Sequence, residues 1–372
     1  MKMIGNIILS LTSLVVMIFL GEFAFRTVLE PVDYLLPTLV EDPYLNHRIE
    51  GGTGGHDEWG FRNFDRPAQA DIVAIGDSMT YGISARAQES WPFVLSTIGN
   101  RTVYNMALGG YGPVHYLHLL KTRAMTLNPK TIIIGLYFGN DFIDSYNLVH
   151  SNSNWAKYGN ASQDDSIDPN AFIQKPGRKR VFGDLRSWLS RNSVLYVAIK
   201  QNTVFDFVRQ KEFEQKNTNF IVFKQGDRQN LFAPNRNFSY VNLKDPRYPQ
   251  SLEIIKKAFM DMQQIASDGK IRMVVVLIPT KESAYARLFA KTGFAESNER
   301  LKQVIDDEEI SRNQISQYFQ ANDMEYLDLL PALQKANAEI DIYPQTDGHP
   351  NWKGYEIIAR EIDSYLTKPT SH

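Results

Sequence analysis

Five short apolar runs, rich in Val and Ile and separated by segments of helical character, are the feature that most narrows the fold of this 372-residue chain. They lie at 71–76, 102–107, 131–137, 272–278 and 325–329. Runs of this length without polar alternation are typical of strands buried on both faces, and the intervening stretches, 84–98 and 113–127 among them, supply helical crossovers. The pattern predicts an α/β fold: a three-layer α/β/α sandwich around a mostly parallel five-stranded sheet, with right-handed connections. In an open sheet of this kind, ligands and chemistry gather beyond the carboxyl ends of the strands.

Three stretches stand outside that rhythm. Residues 3–21, "MIGNIILSLTSLVVMIFLG", carry no charge and are about long enough to cross a bilayer as a helix. No small-x-small cleavage site closes the run, so 1–22 reads as an uncleaved signal-anchor, with a cleaved signal peptide as the alternative. The positive N-terminus then stays cytoplasmic and everything after it is extracytoplasmic. Residues 23–70 read as a linker, with "EGGTGGHD" as its flexible joint. The core domain spans 71–366, followed by a short tail, 367–372. Within it, residues 142–250 break the strand–helix repeat. They read as an insertion shaped like a lid or cap, with helical spacing near 187–216 and an extra hairpin near 217–232.

Composition excludes several function classes. With 40 basic and 42 acidic residues and no basic stripe, the chain is not built to bind nucleic acid. It has no cysteine, which removes disulfides, thiolate metal sites and a Cys nucleophile. "GGYGPV" has the wrong spacing for a dinucleotide fingerprint, and Pro113 occupies the turn. His115 and His118 share a helix face without a carboxylate at ligand spacing, so they read as packing or surface residues. His47, His56, His150 and His372 give no signal. Neither a metal nor a dissociable cofactor is expected.

The ends of the expected strands carry the chemical candidates. The first ends in Gly76-Asp77-Ser78. A serine there is either a helix N-cap or a nucleophile beside unpaired backbone N–H groups. The second ends in "NMALGGYG", where the N–H of Gly110 could face a ligand with no side chain in the way, or the glycines could serve the turn alone. The third ends in "YFGND". Asn140 is either a turn residue or a donor to a developing oxyanion. Near the C-terminus, "TDGHPNWKGYEIIA" sets Asp347 two residues before His349, so both side chains can point to one side of an extended stretch ahead of an amphipathic helix. That pair is either a capping Asp beside a loop His, or a carboxylate that fixes the tautomer of a general base.

Taken together, "GDSMTYG", "NMALGG", "GND" and "DGHPN" resemble the four blocks of the SGNH (GDSL-type) hydrolase superfamily over about 71–141 and 270–366. The resemblance implies Ser78 as nucleophile, His349 as base and Asp347 as its partner. It also implies Gly110, Asn140 and the Ser78 N–H as oxyanion donors, Gly110 by its distance of five residues from Asn105. The chain departs from the usual pattern twice: only Gly348 separates Asp347 from His349, and Gly139 abuts Asn140 directly. The shorter last block, with "EWGFRN" upstream and "IPTKESAYA" downstream, looks like a membrane-anchored bacterial subset that includes polysaccharide O-acetylation proteins. Lys281 and Glu282 of the latter stretch read only as a turn salt bridge.

The function so implied is hydrolysis of small acyl esters, acetyl above all, on a free ester or an acylated cell-envelope glycan. The same residues would serve a polysaccharide O-acetyltransferase, and a non-catalytic glycan-binding scaffold is the remaining alternative. The partners expected are that substrate and the membrane reached through the N-terminal helix.

Overall fold

The computed structural model describes residues 2–159, 182–202, 220–226, 228–234 and 241–368. Much of the polar stretch between 151 and 181, the helical spacing beyond 202, and the tail from 369 lie outside the described residues. The chain divides into two compact units: 1–40, 49–60 and 174–218 in the first, 41–48, 61–173 and 219–372 in the second.

The strands, in chain order, are β1 (Leu39–Asp42), β2 (Asn46–Ile49), β3 (Ile72–Gly76), β4 (Val103–Ala107), β5 (Thr131–Tyr137), β6 (Ile221–Gln225), β7 (Arg228–Phe232), β8 (Arg272–Ile278) and β9 (Tyr326–Asp328). Five of them form the sheet of the larger unit in the order β4-β3-β5-β8-β9, and every neighbouring pair is parallel. These are the five expected runs, each within about two residues of its expected ends. Their two-sided burial explains the unbroken apolar pattern: all five residues of β3 and all but the first of β5 and β8 are buried.

Side chains alternate between the two faces. Ile72, Ala74, Ile133, Val274 and Val276 share one core cluster with Trp91 and Leu95, with Tyr285 and Phe289, and with Tyr355, Ile358 and Ile362. The helices contributing to that face are Trp91–Gly99, Lys281–Thr292 and Trp352–Thr367. Helices Pro113–Thr122, Asp141–Ser151 and Tyr248–Asp268 pack on one another as a second group. The three-layer arrangement is as expected.

Some boundaries differ. The helix expected over 84–98 is split: a short 3-10 turn at Ala87–Glu89 precedes the helix from Trp91, because Ser90 and Pro92 favour a fresh helix start. The segment 142–250 is also less of an insertion than its polarity suggests. It begins inside the helix Asp141–Ser151 and ends inside Tyr248–Asp268, both of them layers of the sandwich. Its hairpin is real: β6 and β7 pair antiparallel from Ile221↔Phe232 to Gln225↔Arg228, and Phe223 and Phe232 enter the core beside Tyr285 and Phe289.

In the smaller unit, the helix Lys2–Val28 continues past the expected end at 22. Its stretch Met3–Val28 is long and apolar enough to cross a membrane. Near its end, the Glu22 carboxylate accepts from the Ser193 hydroxyl at 2.7 Å and from the N–H groups of Val194 and Leu195 at 2.9 and 3.1 Å, capping the helix Val194–Asn202. Arg26 holds Glu22 and also donates to the Asn192 carbonyl, both at 2.7 Å. The expected flexible joint is instead a fixed turn. Gly52 N–H donates to Asp57 O at 2.8 Å, and His56 and Asp57 are buried. Gly55 sits at φ 76°, where a Cβ would fall 2.4 Å from the Val32 nitrogen, so the glycine run serves close packing rather than mobility.

Candidate active site

Strand β3 ends where it must turn sharply. At Gly76, the last residue of the buried run, any Cβ would lie 2.2 Å from the Thr80 hydroxyl oxygen and 2.7 Å from its Cβ, which favours glycine there. The Asp77 carboxylate accepts from Met79 N–H at 2.9 Å and so caps the one-turn helix Ser78–Tyr81. Arg62 secures the other end of that turn, donating to the carbonyls of Gly82 at 2.6 Å and Ala85 at 2.9 Å. The Asn63 side chain bonds both main-chain groups of Asn105 on β4: its Nδ2 donates to Asn105 O at 2.9 Å and its Oδ1 accepts from Asn105 N–H at 3.0 Å. The Asn105 amide in turn donates to Thr80 O at 3.1 Å. The "EWGFRN" stretch thus supplies two fasteners of the Ser78 turn.

The structure brings Ser78, His349 and Asp347 together across 271 residues of chain. His349 Nε2 lies 2.8 Å from Ser78 Oγ, and its Nδ1 lies 2.6 Å from Asp347 Oδ1. Asp347 also accepts from the His349 backbone N–H at 2.8 Å. Burial works to raise the Asp347 pKa, but hydrogen bonds from His349 and Ser84 and the charge of His349 outweigh it, and the carboxyl is held down at about 2. A carboxylate at Nδ1 fixes the proton there, which leaves the Nε2 lone pair facing the serine hydroxyl.

Asp77 behaves in the opposite way. It is fully buried, and desolvation raises it to about 6 despite bonds from Met79 and Ser78 and the charge of His349. The Ser78 hydroxyl lies 3.1 Å from Asp77 Oδ2, so Asp77 is a second acceptor for the proton that His349 would take.

The remaining candidates stand on the strands flanking β3. Gly110 follows β4 at φ 80°, a conformation that favours glycine. The adjacent backbone passes beside Ser78, since a Cβ on Gly109 would lie 3.6 Å from that of Ser78. His47, silent in the sequence, is buried with Nε2 3.4 Å from Gly109 O, and its own carbonyl accepts from Tyr111 OH at 2.7 Å. Asn140 follows β5, and its amide nitrogen donates to the Asp144 carboxyl through a very short bond. Among the described residues, no hydrogen bond joins Gly110 or Asn140 to Ser78 itself. The structure brings their strand ends alongside β3, and their oxyanion roles remain expectations.

Beneath Asn140, the Asp141 carboxyl accepts from Tyr137 N–H at 2.9 Å and Tyr116 OH at 3.0 Å. Burial, reinforced by the charges of neighbouring acids, raises both Asp141 and Asp144 well above the usual carboxyl range. Among the described residues no group of three His, Asp or Glu side chains is arranged to hold a metal. His115 is buried and accepts from Gly112 N–H at 3.0 Å while stacking on Tyr111, as a packing residue does.

The arrangement can therefore do one kind of chemistry well: remove the proton of a serine hydroxyl at the carboxyl edge of a parallel sheet. Several solved structures resemble the chain at low identity. A member of the lipolytic G-D-S-L family from Veillonella parvula matches at 12% identity and TM-score 0.39, over 80% of this chain and 98% of that one. A GDSL-like lipase from Bacteroides thetaiotaomicron matches at 10% identity and TM-score 0.37, over 79% and 86%. An acetylxylan esterase from Geobacillus stearothermophilus matches at 9% identity and TM-score 0.38, over 82% and 97%. No protein-family model and no curated protein matches the chain. Likeness this distant says nothing of chemistry by itself, and the functional reading rests on the geometry around Ser78.

Proposed function

We propose that the protein is a serine esterase of SGNH type that hydrolyses small acyl esters, with acetyl groups on a cell-envelope glycan as the substrate class. The observation that carries this reading is His349, which reaches Ser78 through one ring nitrogen and Asp347 through the other. Ser78 Oγ attacks the ester carbonyl carbon as its proton passes to His349 Nε2. The bond to the alcohol oxygen breaks, and that oxygen takes the proton from Nε2. Water then repeats the sequence: it loses a proton to Nε2, attacks the acyl carbon, and Ser78 leaves with the proton restored. The N–H groups of Ser78 and Gly110 and the Asn140 amide are the donors assigned to the oxyanion.

The His349 side chain keeps 23% of its surface exposed, so solvent reaches the base, which favours water as the acyl acceptor. The apolar N-terminal helix supports a membrane anchor with the sheet-bearing unit on the extracytoplasmic side.

The test is exposure to a fluorophosphonate, followed by intact mass and peptide mapping. One adduct, on Ser78, is expected. An adduct elsewhere, or none on folded protein, overturns the mechanism. Supplying an acyl donor with and without oligosaccharide then identifies the acceptor: free acid at an unchanged rate is expected, and acylated sugar with free acid suppressed would make the protein a transferase.

A further inference from the structure

The loop that carries Asp347 and His349 has almost no regular structure between the helices Leu330–Asn337 and Trp352–Thr367. Something must hold it, because a nucleophile and its base lose roughly 10²-fold in rate for a displacement of about 1 Å. One end is held locally: Asn351 N–H donates to Ile342 O at 2.9 Å, and the Asn351 amide to Asp341 O at 3.0 Å.

The other end meets a buried lysine. Lys281 opens the helix after β8, and only 2% of it is exposed. The expected turn salt bridge is replaced by something else. The ammonium donates to Pro344 O at 2.8 Å, to Gln345 O at 3.1 Å and, more loosely, to Leu231 O of β7 at 3.4 Å. Three donors meet three main-chain acceptors. Gln345 O also accepts from Leu231 N–H at 2.9 Å, and Arg228 of the same hairpin pairs with Asp341 at 2.7 Å. Behind the lysine, Thr280 is fixed through its N–H and hydroxyl by the buried Glu308, which pairs with Arg312. The ammonium therefore sits on a rigid base and holds the backbone two and three residues before Asp347.

We propose that Lys281 is the positioning residue of the base: its buried ammonium, with the β6–β7 hairpin, clamps Pro344 and Gln345 and so sets the reach of His349 to Ser78. This inference rests on the Ser78–His349 pair being the catalytic one. It gives the "IPTKESAYA" stretch and the hairpin within 142–250 a common purpose, which is bracing the base rather than covering the substrate.

Titration provides a second handle. Burial lowers the Lys281 pKa to about 8, against the opposing charges of Glu282 on its own helix and of Asp347 and Asp341 on the loop, the last already engaged by Arg228. The folded protein then sheds this proton near pH 8, while an unfolded lysine keeps it to about 10.4. In that window the unfolded chain binds more protons, so this group adds stability as pH rises. The same deprotonation weakens the clamp. Activity should therefore fall while stability from this group rises, a divergence that a purely structural lysine would not produce.

The experiment compares wild type with Lys281→Met, which keeps the apolar stem and removes the ammonium, and with Lys281→Arg, which keeps a charge that does not titrate. Each is assayed with p-nitrophenyl acetate and for the rate of fluorophosphonate labelling at Ser78. For Lys281→Met, kcat should fall roughly 10- to 100-fold with KM little changed, and labelling should slow by a similar factor. In wild type, activity should decline above about pH 8 with the fold intact, and Lys281→Arg should move that decline to higher pH. If Lys281→Met labels and turns over like wild type and only melts earlier, the positioning role is overturned while the esterase reading stands. If Lys281→Met does not fold, the alkaline decline and its displacement in Lys281→Arg decide the matter: the same decline in both proteins overturns the inference. A wild-type protein that takes no label overturns the esterase reading and this inference with it.

Discussion

The two halves of the Ser78–His349 pair are held in unlike ways. Ser78 stands at the end of a central, fully buried strand, and its turn is closed by neighbours in sequence: Gly76 at the corner, Asp77 as cap and Gly82 at the helix end, with Arg62 and Asn63 as nearby fasteners. His349 stands in an irregular loop held by side chains from elsewhere, Lys281 from the helix after β8 and Arg228 from the β6–β7 hairpin. Ser78 is presented by local backbone geometry, whereas His349 is delivered by tertiary contacts. A perturbation at the first end should remove chemistry or shift stability. One at the second should detune the reach of the base.

The sharpest break is at Ser78. Ser78→Ala should lower kcat by roughly 10³- to 10⁶-fold with the thermal midpoint unchanged, because the cap is supplied by Asp77. Comparable loss of rate and of stability would mean that the turn depends on the hydroxyl. Next comes Asp347→Asn, expected to lower kcat roughly 10²- to 10⁴-fold by loosening control of the His349 tautomer. Circular dichroism should show an intact fold, and an unaffected rate would remove Asp347 from the mechanism. Asn140→Ala should cost roughly 10²- to 10³-fold in kcat with little change in KM. A change confined to KM would make Asn140 a ground-state binding residue. Arg228→Ala, which removes the pairing to Asp341 but leaves Lys281 in place, should slow phosphonate labelling by only about 10-fold, within the effect of a displacement well under 1 Å. A larger loss than that of Lys281→Met would shift the main brace from the lysine to the hairpin.

The smallest effect tests the cost of the rigid end. Asp77 has a folded pKa of about 6, above the ordinary carboxyl range, so the folded state keeps its proton to higher pH than the unfolded chain. This group therefore loses stability as pH rises through the interval between the ordinary value and about 6, and the deficit is complete above it. Asp77→Asn preserves an acceptor for Met79 N–H without a buried charge. It should raise the thermal midpoint by roughly 2–5 °C at neutral pH, a gain that shrinks as pH falls from about 6 to 4. Calorimetry across that range checks it, and a gain independent of pH would mean that Asp77 is not the group titrating.

Much of the molecule is legible in the sequence. The five strands could be located because a strand buried on both faces has to be apolar at every position, and that is a local property of composition. Ser78, Gly110 and Asn140 could be nominated because chemistry on such a sheet gathers at strand ends, and Asp347 and His349 because a carboxylate two residues before a histidine can fix its tautomer, as in the last block of the family the chain resembles. The cap of the Ser78 turn falls one residue from its expected place: the sequence offers Ser78 as the cap, and the structure gives the role to Asp77, whose carboxylate accepts from Met79 N–H.

Other features could not be read in that way. "EGGTGGHD" has the composition of a flexible joint, and only the approach of Val32 to Gly55 shows it to be a packed turn. Asp144 is an ordinary helical acid in sequence and a buried partner of Asn140 in the fold. His47 gives no motif, yet lies against the Gly109 carbonyl. Lys281 reads in the sequence only as part of a turn salt bridge, because its actual partners are main-chain carbonyls at 231, 344 and 345, and a carbonyl is present at every position of a chain. Sequence by itself thus determined the sheet, the turn that presents Ser78 and the list of candidate groups, all of which follow from periodicity, capping and backbone sterics over a few residues. Only the tertiary structure decided that His349 reaches Ser78, and what holds it there, because those contacts join residues far apart in the chain through groups whose identity leaves no local trace.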